Sequence, residues 1–226
     1  MDEFRRAMPR ERGWIVYAVL LPFWAAVVAL DSVPAAFACF LAARAAYVLF
    51  VGVSLRAQAS GGWYTRRWGA EEGFRRFRTA SMALMVNDVA AIGTVCWAGR
   101  GTLQGPTDPW VTVAFGALLF AGGVAIRAWA TASLPEGSFF WKGCFLPNGC
   151  TRFVTTGPYR WFANPMYTLG YLHAYGAALL FRSLPGLAAA AVAQALILLM
   201  NRWAERPHTE RLRLASSGRS AARRAA

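Results

Sequence analysis

At 226 residues, with 57% hydrophobic and only 15% charged side chains, the chain holds too little polar surface to cover a soluble globule of this size. Its mean hydropathy of +0.34 points the same way. The net charge of +13 would suit nucleic acid, but the arginines sit between apolar runs, so the pattern excludes a nucleic-acid partner and favours a membrane.

In chain order, a charged stretch over 1–13 precedes the first apolar run, at about 14–30. That run is too long for a signal-peptide core and no small-residue cleavage site follows it, so it is expected to remain as a helix. Further runs at about 33–53, 80–98 and 110–132 each approach the length a helix needs to cross the hydrocarbon, roughly 20 residues. A polar stretch containing Gly and Pro fills 133–165. Shorter apolar runs at about 166–182 and 186–203 flank Pro185-Gly186 and read as a helical hairpin that spans or dips into the bilayer. The expected fold is all-α: a polytopic transmembrane bundle of four spanning helices plus a C-terminal hairpin. Three regions follow: a four-helix membrane region at 1–132; a loop, hairpin and site segment at 133–213; and a disordered basic tail at 214–226.

With that topology, 20 of the 24 basic residues fall on one side and only Arg100 and Arg182 on the other. The bias places both termini and the polar loop in the cytoplasm. The second loop, WYTRRWGAEEGFRRFR, interleaves aromatics with arginines, a composition suited to the headgroup level of anionic lipid. Cys39, Cys96, Cys144 and Cys150 form no CxxC pair, and no metal site is expected.

Ionisable residues inside apolar runs are costly and mark either function or an internal ion pair, which singles out Arg44, Asp88 and Arg127. The densest polar signal lies at 154–176. There Asn164 is expected to cap a helix beginning at Pro165, turning free backbone NH groups toward the interface where an anion binds. Tyr159, Trp161, Phe162, Tyr167 and Tyr171 around that point suit either a purine or cation site or a membrane aromatic belt.

The run GPYRWFANPMYTLGY resembles the signature of the membrane-embedded methyltransferases that include isoprenylcysteine carboxyl methyltransferase and the phospholipid N-methyltransferases. GGVAIRAWA, before the polar loop, looks like the family's preceding arginine-bearing helix, and NRWAERPHTERL resembles its closing acidic segment. The likeness covers about 115–212 and is nearer the phospholipid branch.

It implies an S-adenosylmethionine site on the cytoplasmic side, with Tyr159, Arg160, Asn164, Pro165, Tyr167, Gly170 and Glu205 against the cofactor. It also implies a lipid or lipophilic acceptor such as a phosphatidylethanolamine-type amine. Arg206 stands where members often carry a second acidic residue, and Glu210 is a carboxylate further along. An amine acceptor must lose a proton, for which Glu205 and His208 are the first candidates and His173 the next; Arg127 suits an anionic group of the acceptor. Alternative readings are a carboxyl O-methyltransferase or other small-molecule methyltransferase, and, in another class, a small transporter using Arg44, Asp88 and Arg127 as a polar path.

Overall fold

The computed structural model describes residues 13–105, 108–135, 138–146 and 154–207. All regular structure among them is helical: α1 (Gly13–Ala29), α2 (Val33–Gly61), the short α3 (Trp63–Trp68), α4 (Ala70–Ala98), α5 (Pro109–Ala132), α6 (Leu172–Leu180) and α7 (Leu184–Met200). A π-helical turn, Asn201–Glu205, prolongs α7. Among the described residues four helices are long and apolar enough to cross a bilayer, namely α2, α4, α5 and α7 with its π turn, and the chain is an integral membrane protein. At 17 residues, α1 sits at the lower bound for a crossing. The expected tail, 214–226, lies outside the described residues.

Two boundaries differ from the sequence reading. The arginine-rich second loop is folded: α2 runs on to Gly61, α3 fills the bend, and α4 already starts at Ala70. Gly62, in the left-handed region at φ 59°, makes the reversal, and buried Gln58 satisfies it by accepting from the Tyr64 amide at 3.0 Å and donating to the Cys144 carbonyl at 3.2 Å. The hairpin is unequal. Its second arm is a full span, whereas α6 has nine residues, about 14 Å, half a bilayer.

The turns sort to two ends. At one end Arg100 pairs with both Asp31 oxygens at 2.6 and 3.0 Å, holding that carboxyl below its ordinary pKa. There the amides of Gly101 and Leu103 donate to the carbonyls of Phe181 and Arg182, and the Leu184 amide donates to Thr102. At the other end Arg56 lies over Trp203, and Phe145 joins Tyr64 and Phe77. Each long helix connects the two.

The α5 and α6 backbones meet closely. A Cβ on Gly116 would come within 2.8 Å of Leu179 Cβ and 2.9 Å of the Leu180 amide, so small residues set this approach.

Midway between the ends, Arg44 is 1% and Asp88 4% exposed. They stand eleven and ten residues from the same ends of α2 and α4, hence at one depth, and pair at 2.6 Å. Arg44 also donates to the Tyr171 hydroxyl at 2.5 Å and to the Ala193 carbonyl. One guanidinium thus joins α2, α4, α7 and the segment before α6. Removing one member of such a buried pair strands the other charge, at about 3–5 kcal/mol, whereas an apolar replacement of both is far milder. Accordingly Arg44→Met and Asp88→Leu are each expected to lower the thermal unfolding midpoint in detergent, and the double variant to be more stable than Asp88→Leu. Additive losses in that comparison would remove the pair from its structural role.

Candidate functional site

The chain before α6 does not follow the expected course. Asn164 is not a side-chain cap, and no regular helix starts at Pro165: residues 165–168 form irregular turns, Leu169–Tyr171 a 3-10 turn, and the α-helix begins at Leu172. Two contacts account for this. The Asn164 amide donates to Asn201 at 3.0 Å instead of capping, and Gly170 is pressed on Arg127, where a Cβ would lie 2.7 Å from Arg127 Cγ. Irregular backbone at membrane depth must find partners inside the protein. Here Gln194 of α7 donates to the carbonyls of Tyr167 and Thr168 at 3.1 and 3.2 Å, and the Gly170 amide donates to the Pro165 carbonyl at 2.8 Å.

The unwound segment leaves a cavity of about 100 Å³ at the arginine-rich end, among Leu134, Phe139, Trp141, Tyr159, Tyr167 and Glu205, with Ser138, Asn164 and Met166 completing the lining. Glu205 reaches it from the π turn, where one extra residue per turn re-aims the side chain. Its Oε2 accepts from the Tyr167 hydroxyl at 3.1 Å and from Asn201 Nδ2 at 2.8 Å, and the Trp141 side chain adds a third hydrogen bond. Trp141 holds this position with φ 57°, a conformation bulky residues rarely adopt and which its ring contact with Phe77 helps to fix.

The Tyr159 hydroxyl is buried and has no hydrogen-bond partner among the described residues. Burial, with Glu205 nearby, pushes its pKa up to about 12, so it stays a neutral donor.

Of the residues singled out from sequence, Tyr159, Asn164, Tyr167 and Glu205 line this cavity. Pro165 is buried and outside the lining, its carbonyl accepting from the Gly170 amide, and Gly170 serves the approach to Arg127. Arg160 is exposed, its guanidinium 6.0 Å from the Trp161 ring, and is not in the lining. Arg127 stands behind Gly170, 3.5 Å from His173 Nε2; because His173 Nδ1 faces the Gly170 carbonyl, Nδ1 carries the proton and Nε2 the lone pair. His208 lies outside the described residues.

Sequence reasoning missed Asn201, which is 4% exposed and links Asn164 to Glu205, and also missed Gln194 and Trp141. Trp141 carried a signal, as part of the aromatic run SFFW in an otherwise polar loop; an Asn four residues before a Glu at a helix end carries none.

These donors suit a compact cation: a carboxylate held by three groups, aromatic walls and a spare hydroxyl. A volume of 100 Å³ holds about three waters, room for the charged end of a larger ligand rather than for a whole nucleoside. Removing the unpartnered Tyr159 hydroxyl (Tyr159→Phe) should leave stability within about 0.5 kcal/mol or raise it, while Tyr167→Phe, which takes a donor from half-buried Glu205, should cost about 1–3 kcal/mol. Thermal unfolding of the two variants side by side checks the contrast.

Residues 111–212 match the family model described as phospholipid methyltransferase. A phosphatidylethanolamine N-methyltransferase of Fusarium vanettenii is 28% identical over 201 residues, covering 84% of this chain but 19% of that protein, so the chain spans about a fifth of the curated relative's length. No solved structure matches the chain. The half-length helix, the cavity and the π turn bearing Glu205 thus all lie within the stretch that is similar to this family model.

Proposed function

We propose that the protein is an integral-membrane, S-adenosylmethionine-dependent methyltransferase of a phospholipid amine, with its site and both termini on the cytoplasmic side. The observation that carries this reading is the Glu205 carboxylate, half-buried and held by three donors in an aromatic cavity inside the matched stretch. The cytoplasmic placement rests on the arginine count: the site shares its end of the bundle with α3 and with the basic turns around it.

S-adenosylmethionine, when bound, supplies an electrophilic methyl group on a sulfonium, and the donor set fits the charged methionyl end of that cofactor. Glu205 would hold its ammonium, Tyr159 would donate its unspent hydroxyl, and the rings of Tyr167 and Trp141 form a wall tolerant of positive charge. Displacement at a methyl group needs orientation and exclusion of water more than covalent help. Tyr167, Asn201 and Asn164 fix the carboxylate for that purpose. Arg127, which has no carboxylate partner among the described residues, is placed for the phosphate of a lipid acceptor entering beside α5. His173 next to it turns Nε2 toward Arg127, and with Glu205 and His208 it completes the candidates for taking the amine proton.

Arg44 and Asp88 speak against a transport path, because they are paired with one another and Arg44 is further bonded to the Tyr171 hydroxyl.

Calorimetry of S-adenosylmethionine binding to the detergent-purified protein tests the cofactor reading. Glu205→Gln, which keeps shape and loses charge, should weaken binding about 10-fold or more, in line with the loss of a charge-assisted contact. Arg127→Ala should leave cofactor binding near wild type and reduce methyl transfer to phosphatidylethanolamine vesicles. A folded wild type that binds no cofactor would overturn the assignment.

A further inference from the structure

The bend between α2 and α3 carries a second cavity, separate from the Glu205 pocket in every lining residue. It measures about 460 Å³ and is formed by Ala57, Ser60 and Gly61 on one wall and Trp63, Arg66 and Arg67 on the other. That volume lies within the range of small-molecule sites, about 300–1,000 Å³. Among the described residues no carboxylate lines it. The nearby Arg75 and Arg76 are paired with Glu72, whereas Arg66 and Arg67 have no carboxylate partner among the described residues.

The groove's cations are held in place without being neutralised. Arg66 Nε donates to the Gly61 carbonyl, and a Cβ on Gly61 would lie 2.7 Å from Arg66 Nη2, so the guanidinium lies directly over the bend with its terminal nitrogens available. Arg67 lies 5.4 Å from the Trp68 ring. Trp63 is 48% exposed yet braced edge-on by Tyr64 and Trp68 at 4.8 and 5.1 Å between centroids. Depth selects the ligand. The groove sits where the apolar stretch of α2 gives way to polar residues, the level at which tryptophan marks the headgroup region and guanidinium forks meet phosphate.

We infer that this groove is a binding site for the phosphate of an anionic phospholipid, held by Arg66 and Arg67 with Trp63 against the glycerol region.

Native mass spectrometry of the full chain, released from nanodiscs of mixed phosphatidylcholine and phosphatidylglycerol, reads the preference directly. The wild type should retain phosphatidylglycerol over phosphatidylcholine. Arg66→Ala with Arg67→Ala should lower that preference by about 5-fold per arginine, roughly 25-fold together. Arg75→Ala with Arg76→Ala, whose guanidiniums are already engaged, should lower it far less. Thermal unfolding controls for folding, and Arg66→Lys with Arg67→Lys, which keeps charge without the planar fork, should fall between wild type and the alanine pair. An unchanged preference in folded alanine or lysine variants overturns the site. Displacement of the retained lipid by inorganic phosphate would assign the groove to a soluble anion and overturn the lipid.

Discussion

One guanidinium sets the interior of this bundle. A hydrocarbon core gives no hydrophobic incentive for helices to meet, so packing and polar contacts must fix their positions. Arg44 does so at mid-depth, where a charge without partners is least tolerable, by binding Asp88 of α4, the Ala193 carbonyl of α7 and the Tyr171 hydroxyl just before α6. The last contact matters most for the site. With Tyr171 anchored at half depth, the chain leading to it must descend into the bundle, and α6 is left only the remaining half to climb.

The cavity is a product of that geometry. A continuous helix from Pro165 would satisfy its own backbone and fill the space; the unwound 165–171 segment leaves room and hands its carbonyls to Gln194. From the opposite wall the π turn delivers Glu205, and Asn201 couples the two by bonding Asn164 on one side and Glu205 on the other. The carboxylate is thereby fixed by its neighbours without any ligand, as the proposed methyl transfer would require.

Apolar run length made the architecture legible in the sequence, because it reflects the solvent rather than particular contacts. The Arg44–Asp88 pair was also foreseeable, since two opposite charges in apolar runs have few other solutions. Helix continuity was less so: the apolar run at 166–182 looks the same whether it is wound throughout or only from Leu172, and the choice is made by Tyr171, Gly170 and Gln194 acting through other helices. Asn164 has the composition of a cap, yet a distant Asn201 claims its amide. The four cavity-lining residues picked from sequence came from one dense motif and its downstream acid, while the partners that hold them came from tertiary contacts that no local pattern encodes.

The far end of the bundle is closed by a different kind of bond. There the Asp31–Arg100 pair and main-chain hydrogen bonds join the α1–α2, α4–α5 and α6–α7 turns into one cross-linked cap. Segments tied by backbone to several others open only with the whole, whereas side-chain contacts release one at a time. The molecule is accordingly stapled along one rim by main-chain bonds and an ion pair, and laced along the other by ring and cation contacts.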